Sequence, residues 1–226
     1  MTNSDHYHDS LPSDEPIRIG ILLYPGFQAL DAFGPLDCIN MLSSTNPVIL
    51  SLLSHTLDPV STKHPEDPRT TGQEVVPTHT YDAPPSLDVL LIPGGRGSRG
   101  SGPIVLAAIK CIKDTYPSLK YLITVCTGSG LAARAGVLDG RRATTNKSAW
   151  NDMVALGPEV EWIPRARWVT DGNIWTSSGV SAGIDITLAW IESVFGEEKA
   201  KMIADEIEYT RHEDPNYDPF AKLYGL

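Results

Sequence analysis

Cysteine is scarce and basic charge is outnumbered in this chain of 226 residues: it has three cysteines, 18 Lys and Arg against 28 Asp and Glu, and a formal net charge of −10. An odd set of three, Cys38, Cys111 and Cys126, cannot pair fully into disulfides, and it lacks the paired Cys/His spacing of a zinc site. A reducing, cytoplasmic setting follows. The acidic balance argues against nucleic acid or an anionic membrane surface as a partner, because either would repel the chain at long range. No apolar run approaches the roughly 20 residues of a membrane-spanning helix. Histidine is missing where a hydrolase would need it: of six, His6 and His8 lie in a polar leader, His64 in a polar loop, and His55, His79 and His212 in no motif. What remains is 41% hydrophobic and long enough to bury a large core, which suits one α/β domain acting on a small molecule.

Residues 1–16, rich in Ser, Asp and His and without the apolar core of a secretory signal, read as a disordered tail. His6 and His8 with Asp5 and Asp9 are read there as solvated residues rather than a metal site. The folded unit is expected over 17–226. A buried strand is predicted over 17–24, then a helix over 28–42 with Gly34-Pro35 as a kink or restart, and a second strand over 48–54. Residues 57–73 show no period and read as an exposed excursion before a short strand at 74–80. A strand over 87–92 ends in Pro93-Gly94-Gly95, a helix follows over 103–115, and a strand over 121–125 leads to Cys126. Later come a helix to about residue 135, a segment at 142–145, a helix near 148–156 and strands near 167–170 and 174–177. Ser181 is expected to cap a helix, a last helix is read over 197–208, and an aromatic, acidic tail over 209–226. Strands alternating with helices at this rhythm predict a mostly parallel sheet covered on both faces.

Ligands in such sheets sit beyond the carboxyl ends of the strands. Three features map there. Cys126, in Val125-Cys126-Thr127-Gly128-Ser129-Gly130, stands where a strand gives way to small residues and a helix, the arrangement that presents a nucleophile and favours thiolate over thiol. The competing reading is a buried cysteine acting as a small hydrophobe, as assigned to Cys38 and Cys111. Gly94 and Gly95 let backbone approach a ligand, so that Gly95 N–H and Thr127 N–H line an anion site; alternatively they only turn a loop. Asp31, in Leu30-Asp31-Ala32-Phe33-Gly34-Pro35, is a carboxyl in apolar surroundings whose pKa should rise, making a cysteine–acid pair, or else a carboxylate at a helix start. Asn146, twenty residues after Cys126, occupies the place where a histidine base is sought and cannot take a proton. Asp185, in the first turn of a helix, is a further candidate for the binding site, with dipole pairing as the simpler account.

Taken together, 19–24, Leu30-Asp31-Ala32-Phe33-Gly34-Pro35, Ile92-Pro93-Gly94-Gly95, Val125-Cys126-Thr127-Gly128-Ser129 and the run from Thr176 to Asp185 resemble the ThiJ/PfpI superfamily. The resemblance covers about residues 17–208. It implies a three-layer α/β/α sandwich, flavodoxin-like and glutamine amidotransferase-like, and a homodimer. The Asp-x-x-Gly-Pro form looks like the isonitrile hydratase branch, shared with effector domains of some AraC-type regulators. It implies Cys126 as nucleophile, Asp31 as acid partner, Gly95 and Thr127 at the anion site, and no metal or organic cofactor. Many relatives carry histidine where this chain has Asn146, which weakens any protease, deglycase or glyoxalase-like assignment built on a Cys-His dyad. The alternatives are a redox-sensing or small-molecule-binding module, an enzyme acting on another electrophile, or a regulator, for which only the tail after Glu208 would remain to hold a DNA-binding half.

Overall fold

A computed structural model describes residues 15–64 and 66–226. The leader read over 1–16, with His6, His8, Asp5 and Asp9, lies outside the described residues but for its last two.

The apolar runs become the inner strands of one sheet. Strand β1 (Ile17–Leu22) is buried at every position but Arg18, whose guanidinium reaches back to Asp88 at 2.9 Å. Helix α1 (Ala29–Ser43) and β2 (Val48–Ser54) follow, then the short strands β3 (Val60–Ser61), β4 (Glu74–Val75) and β5 (His79–Thr80). Next come β6 (Val89–Ile92), α2 (Pro103–Thr115), β7 (Tyr121–Thr124), α3 (Gly128–Arg134), β8 (Arg142–Ala143), α4 (Trp150–Val154) and β9 (Glu161–Trp162). The chain continues through β10 (Trp168–Asp171), β11 (Ile174–Ser177), α5 (Ala182–Phe195), α6 (Glu197–Glu206) and α7 (Pro219–Leu223).

The main sheet has the order β10-β11-β7-β6-β1-β2-β5, parallel throughout except for the β10–β11 hairpin. Helices α1, α5 and α6 pack together as one layer, and α2, α3 and α4 as the other, which completes the three-layer sandwich. The chain leaves β1 toward β2 on one side and returns to β6 on the other. That reversal opens a crevice at the carboxyl ends of β1, β6 and β7, three adjacent strands.

Several expectations change. Helix α1 runs unbroken through Pro35, because Gly34 and Pro35 are a packing point and not a restart: a Cβ on Gly34 would stand 2.8 Å from Ile184 Cγ1, and one on Gly183 would stand 3.4 Å from Pro35 Cγ. Burial of that seam outweighs the one hydrogen bond that proline forfeits. The excursion at 57–73 contains β3, which pairs antiparallel with β4. The strand expected at 74–80 is split around Pro77, so that β4 joins this ribbon and β5 joins the edge of the main sheet beside β2. Ser181 stands at the start of α5 but makes no capping bond; its hydroxyl accepts from the Arg167 guanidinium at 3.2 Å. The tail at 209–226 is built into the fold: Arg167 N–H donates to Pro215 O at 2.7 Å, and the Asp218 side chain is fully buried. Among the described residues no helix is long and apolar enough to cross a membrane.

Candidate active site

Cys126 is held at φ +58°, in the left-handed region that L-residues avoid. Its backbone is tied on every side. Cys126 N–H donates to Ser178 O at 3.0 Å, while its carbonyl accepts the Ser129 and Thr145 hydroxyls at 3.0 and 3.1 Å. Only glycine fits two residues on, since a Cβ on Gly128 would fall 2.2 Å from Ile92 O. Cys126 as a whole is 5% exposed.

The loop after β6 closes on it. Gly94 N–H donates to Asp31 Oδ2 at 2.9 Å, and Gly94 O accepts Gln28 N–H at 2.8 Å, which locks the start of α1 to the glycine loop. A Cβ on Gly94 would stand 2.5 Å from Thr127 N and 2.9 Å from Asp31 Oδ2, so the acid and the cysteine loop meet only across a glycine. Asp31 is wholly buried, and its Oδ1 has no hydrogen-bond partner. Burial raises this carboxyl to about 7, against the opposing pull of the Gly94 N–H and the neighbouring Cys126 thiol.

The expected anion site is rearranged. Gly95 N–H is already bonded to Thr127 Oγ1 at 2.9 Å, and Ser98 Oγ stands 2.9 Å from the same oxygen, so Gly95 shapes the loop and offers no free donor. The donors that hold down the Cys126 pKa are the backbone N–H groups of Val180 and Thr127 and the Asn146 side chain, whose Nδ2 donates to Cys126 Sγ at 3.2 Å. Asn146 is oriented by its other end: Oδ1 accepts Ala149 N–H at 3.1 Å and Ser148 Oγ–H at 2.6 Å, leaving the amide nitrogen to face sulfur. These donors do not make a resting thiolate. Burial, and after it the Asp31 charge, push the thiol up to about 12, which reverses the sequence expectation of a helix-favoured thiolate.

Asp185 takes no part. Its Oδ2 accepts two bonds from Arg167 at 2.8 and 2.9 Å, and its Oδ1 accepts Tyr209 Oη–H at 3.0 Å and His212 N–H at 2.9 Å. That carboxylate is saturated by structural partners, so the binding role read for it is withdrawn. Val180 was missed. A backbone donor carries no residue letter, yet its loop follows β11, the strand next to β7, and the carboxyl-end rule extended one strand further would have found it. None of the described histidines hydrogen-bonds to Cys126 or Asp31. Among the described residues no cluster of three or more His, Cys, Asp or Glu is placed to hold a metal ion.

A cavity of about 200 Å³ is lined by Asn146 and Val180, by the polar Lys147, Ser148 and Ser181 and, from the tail, by Phe220 and Tyr224; it adjoins two of the thiol's donors, while Cys126 and Asp31 are not among its walls. A second, of about 680 Å³, is bounded by Trp168, Trp175, Glu192 and Tyr209 and holds none of the thiol-site residues. The arrangement can do one thing plainly: hand a proton between a thiol and a carboxyl while N–H donors receive negative charge on sulfur.

Residues 17–193 match the DJ-1/PfpI family. The chain is 35% identical over 196 residues to an isonitrile hydratase of Pseudomonas putida, covering 85% of this chain and 78% of that protein. It is 33% identical over 122 residues to a deglycase of Pyrococcus horikoshii, covering 53% of this chain and 69% of that protein. Its fold matches the crystal structure of a ThiJ/PfpI family protein from Pseudomonas syringae with a TM-score of 0.72 at 29% identity, over 94% of this chain and 83% of that one.

Proposed function

This chain belongs to the DJ-1/PfpI family, and on that premise we propose that it hydrates a small isonitrile-type electrophile, with Cys126 as nucleophile and Asp31 as its acid–base partner. The observation that carries this reading is the bare Oδ1 of Asp31, a buried carboxyl oxygen beside a buried thiol, with an amide donor on the sulfur and no imidazole there among the described residues. The similarity to an isonitrile hydratase supports it.

Asp31, ionised, takes the thiol proton as the sulfur attacks the terminal carbon of R–N≡C. Charge on sulfur is received by the N–H groups of Val180 and Thr127 and by Asn146. Asp31 then returns the proton to that same carbon, giving a thioimidate, R–N=CH–S–Cys126. Water adds across the C=N bond, the nitrogen gains a proton, and breaking of the C–S bond releases R–NH–CHO and the thiol. One water is consumed and nothing is oxidised. Asn146 gives no base for a Cys-His route, because its amide donates to sulfur and cannot take a proton.

The test offers isonitriles, aldehydes and acyl compounds to wild type and to Cys126→Ala, with products identified by mass. Formamide from isonitriles in wild type only is the expected result. Undiminished formamide in the variant, or turnover confined to another class of compound, would overturn the reading.

A further inference from the structure

Residues 209–226 lie beyond the stretch matched to the family, yet Phe220 and Tyr224 build one wall of the cavity that borders Asn146 and Val180, two of the donors to the Cys126 sulfur. We propose that α7 is a specificity element: Phe220 and Tyr224 form the apolar end of the substrate pocket and select isonitriles that carry a ring substituent. This rests on the hydratase reading above.

A five-residue helix does not stand in water by itself. This one is anchored by a buried carboxylate. Asp218 Oδ1 accepts Phe220 N–H at 3.0 Å, capping the helix, while Oδ2 accepts Ser178 Oγ–H at 2.5 Å and faces Lys147 Nζ at 3.7 Å. Ser178 is two residues before Val180, and Lys147 directly follows Asn146. One side chain therefore indexes α7 to two of the three segments that present donors to sulfur.

Phe220 and Tyr224, one helical turn apart, are 46% and 51% exposed, so each ring leaves about half its surface free on the cavity side or in solvent. The cavity they share with Asn146 and Val180 measures about 200 Å³. Benzene is held in a cavity of roughly 150 Å³, so this space is large enough for a six-membered ring, with Asn146, Lys147, Ser148 and Ser181 at its polar side and the two aromatic rings at the other. With the reacting carbon at Cys126, beside Asn146 and Val180, the substituent points to the aromatic wall.

The experiment compares kcat/KM for benzyl isonitrile and methyl isonitrile in wild type, Phe220→Ala, Tyr224→Ala and, as a control on the same helix, Leu223→Ala, which is 70% exposed. Each cavity variant should lose about 10-fold on the benzyl substrate, the lower end for a misfilled apolar pocket, and less than about 2-fold on the methyl one. The control should leave both unchanged. Equal losses on the two substrates, or none, would overturn the proposal. A second arm reads the wall without turnover: alkylation of Cys126 by N-benzyl iodoacetamide against iodoacetamide, followed by peptide mass. If wild type makes no formamide from either isonitrile, the hydratase reading falls and this arm alone decides. A benzyl preference that drops in both variants upholds the wall; an unchanged ratio removes it. Should an alanine variant melt early, Phe220→Leu and Tyr224→Leu keep the volume apolar and carry the same comparison.

Discussion

Asp31 works against the fold that holds it. One of its oxygens bonds a backbone N–H and the other bonds nothing, inside a site where burial lifts the carboxyl from 3.8 to about 7. Between those two values the folded protein keeps a proton that the unfolded chain releases, so this residue's contribution to stability falls as pH rises from about 4 to about 7 and stays low above. Asparagine is neutral throughout. Asp31→Asn is therefore expected to be more stable than wild type at pH 8, on the order of 2 kcal/mol or more, with the gap closing near pH 4. Urea unfolding at both pH values measures it, and an equal gap at both would contradict the account. The same variant should lose hydration, and the wild-type rate should rise with pH through about 7 as the carboxylate base forms. At this scale Cys126 and Asp31 were legible because their signals are local: small neighbours after a strand, and one carboxyl among apolar residues. Asn146 was legible as a departure but not as a donor. Its orientation depends on a capping bond to Ala149 that no spacing announces.

Helix α1 carries Asp31, and its seat on α5 decides where that carboxyl points. Gly34 lies three residues on, at the point where a Cβ would stand 2.8 Å from Ile184 Cγ1. Gly34→Val should destabilise by about 1–3 kcal/mol through overpacking and should lower kcat more than KM, because Asp31 is carried away from Gly94. Shortening the opposing side chain with Ile184→Ala in the same background should recover part of both losses; full additivity of the two changes would show that the seam does not couple them. The helix and strand cores were readable from periodicity. The Gly34-Pro35 pair reads in the sequence as a kink or restart, because local chemistry favours one there, and only the approach of α5 overrides it.

For the whole molecule the decisive feature is the reversal of strand order at β1, which sets the loops after β1, β6 and β7 side by side. The tail then brings Phe220 and Tyr224, from the far end of the sequence, to the cavity that borders Asn146 and Val180. Asp218→Ala strips the cap of α7 and leaves Lys147 buried without its counter-charge. Lys147 is already lowered to about 8 by burial, with Asp218 pulling the other way. A loss of roughly 3 kcal/mol is expected from breaking one partner of a buried pair, read by thermal or urea unfolding. Stability within about 0.5 kcal/mol of wild type, the range of an ordinary surface substitution, would show that the pair does not anchor the tail. By itself the sequence determined the layered α/β architecture, the strand-to-helix elbow at Cys126 and the apolar setting of Asp31, since each follows from short-range pattern. Only the tertiary structure decided which donors face sulfur, that Gly95 and Asp185 are spent elsewhere, and that residues past 208 wall the pocket. Those outcomes depend on long-range packing, since a buried polar group takes the hydrogen-bond partner that the fold brings to it from a distant segment.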